Sequence, residues 1–147
     1  MLKKIPPIIS PELMYMLMKT GHGDEILLAD GNYPCESKGI PVVRADGLGI
    51  PELLEAILNF LPLDTFVEEN IIFMDNGKEE KPVIWKEYRK ITKEKTKDSK
   101  IVIMERYDFY NRADNVFFII ATSERALYAN IILKKGVIWK WYFISGE

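Results

Sequence analysis

The stretch that decides the fold is Ile26-Leu27-Leu28-Ala29-Asp30-Gly31-Asn32, a short apolar run that ends in a turn signal. Four consecutive apolar residues are typical of a strand that is covered on both faces, because a half-exposed strand alternates apolar and polar side chains. Similar runs occur at 71–74, 101–104, 116–121 and 131–133. A set of such strands predicts a sheet with helices packed on both of its faces.

The segments between the apolar runs contain helix signals. Ser10-Pro11 is typical of an N-cap followed by proline at the first helical position, and Pro51 opens a second helix. Residues 78–100 hold nine basic and five acidic residues around the evenly spaced Trp85, Tyr88 and Ile91. This pattern indicates an amphipathic helix with a solvated basic face.

Three shorter elements complete the prediction: a strand over 41–44, a helix over 107–115 and a last strand over 137–143. We therefore expect an α/β fold, in which residues 1–147 form a single layered α/β/α domain. Its central sheet is expected to be at least partly parallel, with about six strands. Residues 138–147 are interpreted as an aromatic C-terminal extension that lengthens a strand or covers a subunit contact.

The composition argues against several classes of partner. The chain has 147 residues, of which 48% are hydrophobic, and 20 basic against 22 acidic residues give a net charge of −2. Such a charge provides no general attraction for nucleic acid or for an anionic membrane. No apolar run approaches the roughly 18 residues that a membrane helix needs. The single cysteine, Cys35, is consistent with a reducing compartment, and we expect a cytoplasmic protein.

Glycine pairs in the chain invite a dinucleotide-binding interpretation, which the local context does not favour. Gly21-His22-Gly23 precedes a predicted strand, whereas the dinucleotide fingerprint follows a strand and opens a helix. Gly47-Leu48-Gly49 is better placed, but the third glycine is absent. With one histidine and one cysteine, the chain has no recognisable metal-binding spacing, and we expect neither a metal nor a cofactor.

A few polar residues at the ends of the predicted strands are candidates for chemistry. His22 lies between two glycines, which favour an exposed imidazole that could exchange protons near neutral pH. Asp30 and Arg106 follow two strands at their carboxyl ends, where open α/β sheets bind ligands. Tyr128-Ala129-Asn130 leads into the last strands. Each of these residues also has an ordinary interpretation, as a turn former, a surface arginine or a strand cap.

Several segments, taken together and in order, resemble the L-fucose mutarotase and D-ribose pyranase family. The similar segments are Gly21-His22-Gly23-Asp24-Glu25, Leu28-Ala29-Asp30, Arg44-Ala45-Asp46-Gly47, Arg106 with Phe109-Tyr110, and the run from Tyr128 to Val137. The likeness extends nearly collinearly from Met1 to about Val137. Arg106 and the Arg-Ala-Asp-Gly segment make the chain more similar to the fucose branch, because the ribose branch has histidine at the position of Arg106.

The resemblance implies a cofactor-free isomerase that interconverts the anomers of a free monosaccharide, with L-fucose as the expected substrate. It implies that His22 is the catalytic proton donor and that Asp30 and Arg106 bind the sugar. Tyr128, Ala129 and Asn130 match the family's binding segment. Either water or Tyr128 could remove the proton from the anomeric hydroxyl. The alternative is a non-catalytic sugar-binding or scaffolding homologue of the same family.

The spacing of the candidate residues bears on assembly. His22 and Asp30 are eight residues apart across a predicted strand, which corresponds to as much as roughly 26 Å if the segment is fully extended. Either the chain bends before Ile26, or a neighbouring subunit supplies one of the two residues. Because the family forms rings with sites between subunits, we expect a homo-oligomer with interfacial active sites.

Overall fold

A computed structural model of the protein describes residues 1–140, which contain a six-stranded mixed sheet and four α-helices. The strands are β1 Glu25–Ala29, β2 Val42–Ala45, β3 Ile71–Met74, β4 Ile101–Met104, β5 Phe118–Thr122 and β6 Ile131–Lys134. The helices are α1 Pro11–Lys19, α2 Ile50–Ile57, α3 Ile84–Lys95 and α4 Arg106–Ala113. The predicted α/β class is confirmed, and every predicted helix is present.

The strand order in the sheet is β2-β5-β1-β6-β3-β4. Neighbouring strands run parallel except for β6, which pairs antiparallel with both β1 and β3. The amino end of β6 therefore lies beside the carboxyl ends of its two neighbours. This reversal brings the segment before β6, residues 128–130, next to the residues that follow β1.

The four inner strands, β1, β3, β5 and β6, are buried on both faces, as their apolar runs predict. The prediction of a buried strand over 101–104 is wrong in its burial, because β4 is an edge strand and Ile103 is exposed. On β1, Ile26 and Leu28 face a core that includes the apolar faces of α1, α2 and α3. Leu27 and Ala29 face the opposite core, which α4 and the loop after β1 cover. The sheet is thus the middle layer of three, and each of its faces contributes to a separate apolar cluster.

The helix boundaries follow from local signals in the sequence. Ser10 caps α1, and its Oγ accepts a hydrogen bond of 3.1 Å from the amide of Leu13. The carboxylate of Glu105 caps α4 by accepting hydrogen bonds from the amides of Tyr107 and Asp108 in the first turn. The longest helix, α3, has 12 residues. No helix within residues 1–140 is both long enough and apolar enough to cross a membrane.

A shared arginine ties α4 to the start of β1. The guanidinium of Arg112 donates to both carboxylate oxygens of Glu25, at 2.7 and 3.1 Å, and also to the carboxylate of Glu69. The side chains of Arg112 and Glu25 are only 22% and 13% exposed. Because a partly buried carboxylate is costly without a partner, this cluster holds the amino end of β1 in place.

The prediction of a strand over 137–143 is wrong for the part that the structure describes. Residues 137–140 form no strand, and the side chains of Ile138 and Trp139 are exposed. The apolar pattern misled the prediction because β6 lies between β1 and β3, so neither free edge of the sheet, at β2 or β4, is adjacent to the point where the chain leaves β6. Residues 141–147, and with them most of the predicted aromatic extension, lie outside the described residues.

Candidate functional site

A cavity of about 490 Å³ opens at the carboxyl ends of the parallel strands. Four of the residues singled out in the sequence line it together: Asp30, Arg106, Tyr128 and Asn130. They come from the ends of β1 and β4 and from the segment before β6, which the antiparallel direction of β6 brings to the same place. A volume of several hundred Å³ with a few convergent polar groups is typical of a small-molecule site.

Asp30 and Asn130 form a rigid polar pair at the base of this cavity. Oδ1 of Asn130 accepts a hydrogen bond of 2.7 Å from the backbone amide of Asp30, and Nδ2 of Asn130 lies 3.3 Å from Oδ2 of Asp30. The amide of Asn32 donates to the other oxygen of Asp30 at 2.9 Å. Asp30 therefore forms the turn and also presents a fixed acceptor.

Burial is the main influence on the pKa of Asp30. Desolvation of the carboxylate raises its pKa above the ordinary 3.8, although hydrogen bonds from Asn32 and Asn130 act in the opposite direction. The charge is thus partly desolvated and held by neighbouring donors. A carboxylate in this condition strengthens its interaction with any hydroxyl group that enters the cavity.

Arg106 begins α4 and supplies the cationic wall of the cavity. One of its guanidinium nitrogens donates a hydrogen bond of 2.9 Å to the hydroxyl of Tyr107, and the guanidinium stands 4.8 Å from the centre of the same ring. These contacts restrict the orientation of a side chain that would otherwise be mobile. The planar guanidinium then offers its remaining donors to a ligand.

The segment Tyr128–Asn130 has an unusual backbone conformation. Tyr128 has a φ of 55°, in the left-handed region that residues other than glycine rarely adopt. Ala129 is fully buried and does not line the cavity, so its side chain offers nothing to a ligand. Such strain persists only where the surrounding structure enforces it, and it is concentrated at functional sites.

His22 lies at the opposite end of β1 from the cavity. The amide of Gly23 donates to the carbonyl of Lys135 at 2.8 Å, just beyond the carboxyl end of β6. The imidazole is 46% exposed, as its flanking glycines suggested. His22 does not line the cavity, so one chain does not bring the predicted proton donor and the predicted sugar-binding residues together.

Asp64 is the residue at this end that sequence reasoning missed. Its Oδ1 lies 3.3 Å from Nε2 of His22, and its side chain is 3% exposed. Burial raises the pKa of Asp64, but the amide of Phe66 and the imidazole of His22 outweigh that effect, so the pKa lies below the ordinary 3.8. Asp64 is 42 residues from His22 in a segment with no motif, and no local signal could have identified it.

Other residues that line the cavity were also not predicted, among them Tyr33, Lys38, Met74 and Tyr110. Met74 could have been found from the sequence. It is the last residue of a predicted buried strand, and the ends of these strands border the expected site. Tyr110 lies within α4, and its ring is 6.3 Å from that of Tyr33. Burial raises the pKa of Tyr33 to about 12, so this phenol stays protonated.

The structure gives no support to nucleotide binding at the start of α2. The amide of Gly49 donates to the carboxylate of Glu52 at 2.8 Å, and the amide of Ile50 donates to the carboxylate of Glu124 at 3.1 Å. These acidic side chains occupy the position that a pyrophosphate would take. Residues 1–140 also contain no cluster of three or more metal-ligating side chains.

Comparison with known proteins gives consistent results over most of the chain. Residues 3–138 match the model of the RbsD / FucU transport protein family. The chain is 48% identical to the fucose mutarotase of Mus musculus, over 93% of this chain and 95% of that protein. The crystal structure of the fucose mutarotase from Streptococcus pneumoniae in complex with L-fucose is similar, with a TM-score of 0.87 and 48% identity. That match covers 93% of this chain and 99% of the other.

A second solved structure, FucU from Bifidobacterium longum, has a TM-score of 0.86 and 44% identity. It covers 93% of this chain and 100% of that chain. The residues matched by the family model, 3–138, include both the cavity residues and His22.

Proposed function

Because the chain belongs to the RbsD / FucU family, we propose that it is a fucose mutarotase, an isomerase that interconverts the anomers of free L-fucose. The observation that carries this proposal is the convergence of Asp30, Arg106, Tyr128 and Asn130 on one cavity in a chain 48% identical to a fucose mutarotase. Acceptors, a fixed cation and an amide suit a neutral sugar with several hydroxyl groups.

The reaction requires only the movement of protons and one ring bond. The anomeric hydroxyl loses its proton, the bond between the anomeric carbon and the ring oxygen breaks, and the ring oxygen gains a proton. The aldehyde group of the open-chain form then rotates. The same steps in reverse close the ring, with the hydroxyl group attacking the other face of the aldehyde carbon. A positioned acid or base contributes about 10²–10⁴-fold to such proton transfers.

We assign the proton donor to His22 and its orientation to Asp64. With Nε2 of His22 beside the Asp64 carboxylate, the proton on that nitrogen is held by Asp64, and Nδ1 becomes the nitrogen that exchanges a proton with the sugar. Because Asp64 is ionised and buried, it fixes both the tautomer and the direction of the ring. Asp64 therefore acts through His22 as a positioning residue.

The proton of the anomeric hydroxyl leaves toward the tyrosine side of the cavity. Tyr110 and Tyr128 both line the wall near Arg106. A water held between these side chains accepts this proton, either directly or through a phenol that takes up the anomeric proton as it passes its own proton to the water. Asp30 and Asn130 hold the sugar hydroxyls during the reaction, and the buried Ala129 anchors the backbone between Tyr128 and Asn130. No cofactor enters this scheme.

The complete site, in this proposal, forms between two subunits of a homo-oligomer. The cavity residues lie at one end of β1 and His22 lies at the other, which supports a site in which one chain supplies the cavity and its neighbour supplies the imidazole. His22 is exposed enough to reach a neighbouring chain. The one cysteine, Cys35, is a buried free thiol, which supports a reducing, cytoplasmic setting for this enzyme.

Exchange spectroscopy on the anomeric protons of L-fucose tests the proposal directly. The protein should accelerate interconversion of the two anomers, and His22→Ala should reduce the acceleration by about 10²–10⁴-fold while the sugar still binds. A protein that binds L-fucose but leaves the spontaneous exchange rate unchanged would instead be the non-catalytic sugar-binding homologue. D-ribose and D-galactose serve as comparison sugars in the same experiment.

A further inference from the structure

Tyr88 makes a buried hydrogen bond that connects α3 to the sugar-binding segment. Its side chain is fully buried, and its hydroxyl donates to the backbone carbonyl of Ala129 at 2.6 Å. The ring packs against Phe73, with 5.6 Å between the ring centres. Since phenylalanine would fill the same volume, the hydroxyl is the part of Tyr88 that packing alone does not require.

The carbonyl that accepts this bond lies at the centre of a conformationally demanding segment. Tyr128, on one side, has a φ of 55°. Asn130, on the other side, makes two contacts with Asp30 through its side-chain amide. The peptide plane that carries the Ala129 carbonyl also carries the amide of Asn130, so the bond from Tyr88 sets the direction in which the chain enters Asn130.

We propose that Tyr88 is a positioning residue for the sugar site, a role that rests on the function proposed above. Its hydroxyl fixes the Ala129 peptide, which holds Tyr128 in its left-handed conformation and keeps Asn130 in register with Asp30. Tyr88 itself does not line the cavity and acts only through these residues. Without the hydroxyl, the segment loses its fixed point in the core, and the polar pair at the base of the cavity loses its alignment.

The test compares Tyr88→Phe with Thr92→Val, a matched control on the same helix. Thr92 is equally buried, and its hydroxyl donates to the carbonyl of Arg89 within α3. Each substitution removes one buried hydroxyl and keeps the side-chain volume nearly unchanged. We expect Tyr88→Phe to raise the Kd for L-fucose about tenfold and Thr92→Val to leave it within about twofold, at a temperature where both are folded.

Amide NMR gives a second measurement that does not depend on activity. Tyr88→Phe should shift the backbone amide of Asp30 and the side-chain amide of Asn130, while the backbone amide of Ala113, at the end of α4 away from the cavity, stays unchanged. A Tyr88→Phe protein with the wild-type Kd and unshifted Asp30 and Asn130 signals, altered only in melting temperature, would overturn the proposal. A purely structural role predicts that outcome.

The two proposals fail in different ways. If the wild-type protein neither binds L-fucose nor speeds its anomeric exchange, the proposed function is wrong. The amide shifts of Asp30 and Asn130 in Tyr88→Phe still decide whether Tyr88 positions this pair. If the wild-type protein is active and Tyr88→Phe binds and reacts like it, the role of Tyr88 is wrong and the function stands.

Discussion

Mixing two inactive variants of this chain should restore activity, if each active site takes His22 from one subunit and Asp30 from another. His22→Ala removes the proton donor and Asp30→Asn removes the fixed carboxylate of the cavity. His22→Ala alone should keep at most about 1% of the wild-type exchange rate, because a positioned acid or base contributes at least about 10²-fold. Asp30→Asn alone should keep at most about 10%, because a hydrogen bond to a charged group contributes roughly 1.5–3 kcal/mol. Neither variant can repair itself, because every subunit carries the same defect.

The expected recovery follows from the geometry of β1. Eight residue steps separate His22 from Asp30, with the five residues of β1 extended between them, so the two side chains lie up to about 26 Å apart in one chain. In a random equal mixture, a site receives an intact His22 with a probability of about one half and an intact Asp30 with the same probability. About one quarter of the sites are then complete, and activity should return to about 25% of the wild-type value.

The assay requires that the two variants are unfolded together in urea, refolded as a mixture and measured by exchange spectroscopy with L-fucose. Wild-type protein taken through the same steps shows how much activity refolding itself recovers. A second control mixes wild-type protein with the double variant, which should give about 25% activity for sites shared between chains and about 50% for sites within one chain. No recovery in the first mixture, with full recovery of the wild type, would refute a shared site.

Three further outcomes follow from individual residues. Asp64→Asn should lower kcat for anomeric exchange by at least about tenfold with little change in KM, because the substitution frees the imidazole of His22 without touching the cavity. A raised KM with an unchanged kcat would contradict this role. Arg112→Met should lower the free energy of unfolding in urea by about 2–4 kcal/mol, since it leaves the partly buried Glu25 without its partner, and equal urea midpoints would count against this estimate. Burial raises the folded-state pKa of Asp30 above 3.8, so ionisation of its carboxyl group opposes folding. The wild-type protein should therefore lose stability relative to Asp30→Asn as the pH rises from 3.8 through the raised pKa. Melting temperatures of both proteins across this range check the sign, and a difference that does not vary with pH would refute it.

The elements of the fold could be predicted because each depends on a local pattern. The run Ile26–Ala29 is typical of a buried strand, and Ser10 or Pro51 marks a helix start through the geometry of a single turn. Over residues 137–140, the described part of the strand predicted over 137–143, the prediction failed because an apolar pattern does not state whether a free sheet edge is adjacent. The strand order decides that question, because it places β6 at least two positions from either edge strand.

The candidate site also combines residues that the sequence could identify with residues that only the structure reveals. Asp30, Arg106, Tyr128 and Asn130 could be chosen from the sequence because they stand at the ends of apolar runs, and the structure brings these four to one cavity. Asp64 could not be chosen, because its contact with His22 joins residues 42 positions apart and depends on how the chain returns after α2. The bond from Tyr88 to Ala129 spans 41 positions and has no sequence signature either.

The sequence by itself determined the layered α/β class, the helix starts and the identity of the polar residues, because hydrophobic burial and backbone capping act over a few neighbouring residues. The tertiary structure alone decided the reversed direction of β6, the pairing of His22 with a buried carboxylate, and the placement of that imidazole at the opposite end of the sheet from the cavity. These features depend on contacts between distant parts of the chain. Such contacts form only when the whole sheet has assembled, so no local pattern encodes them.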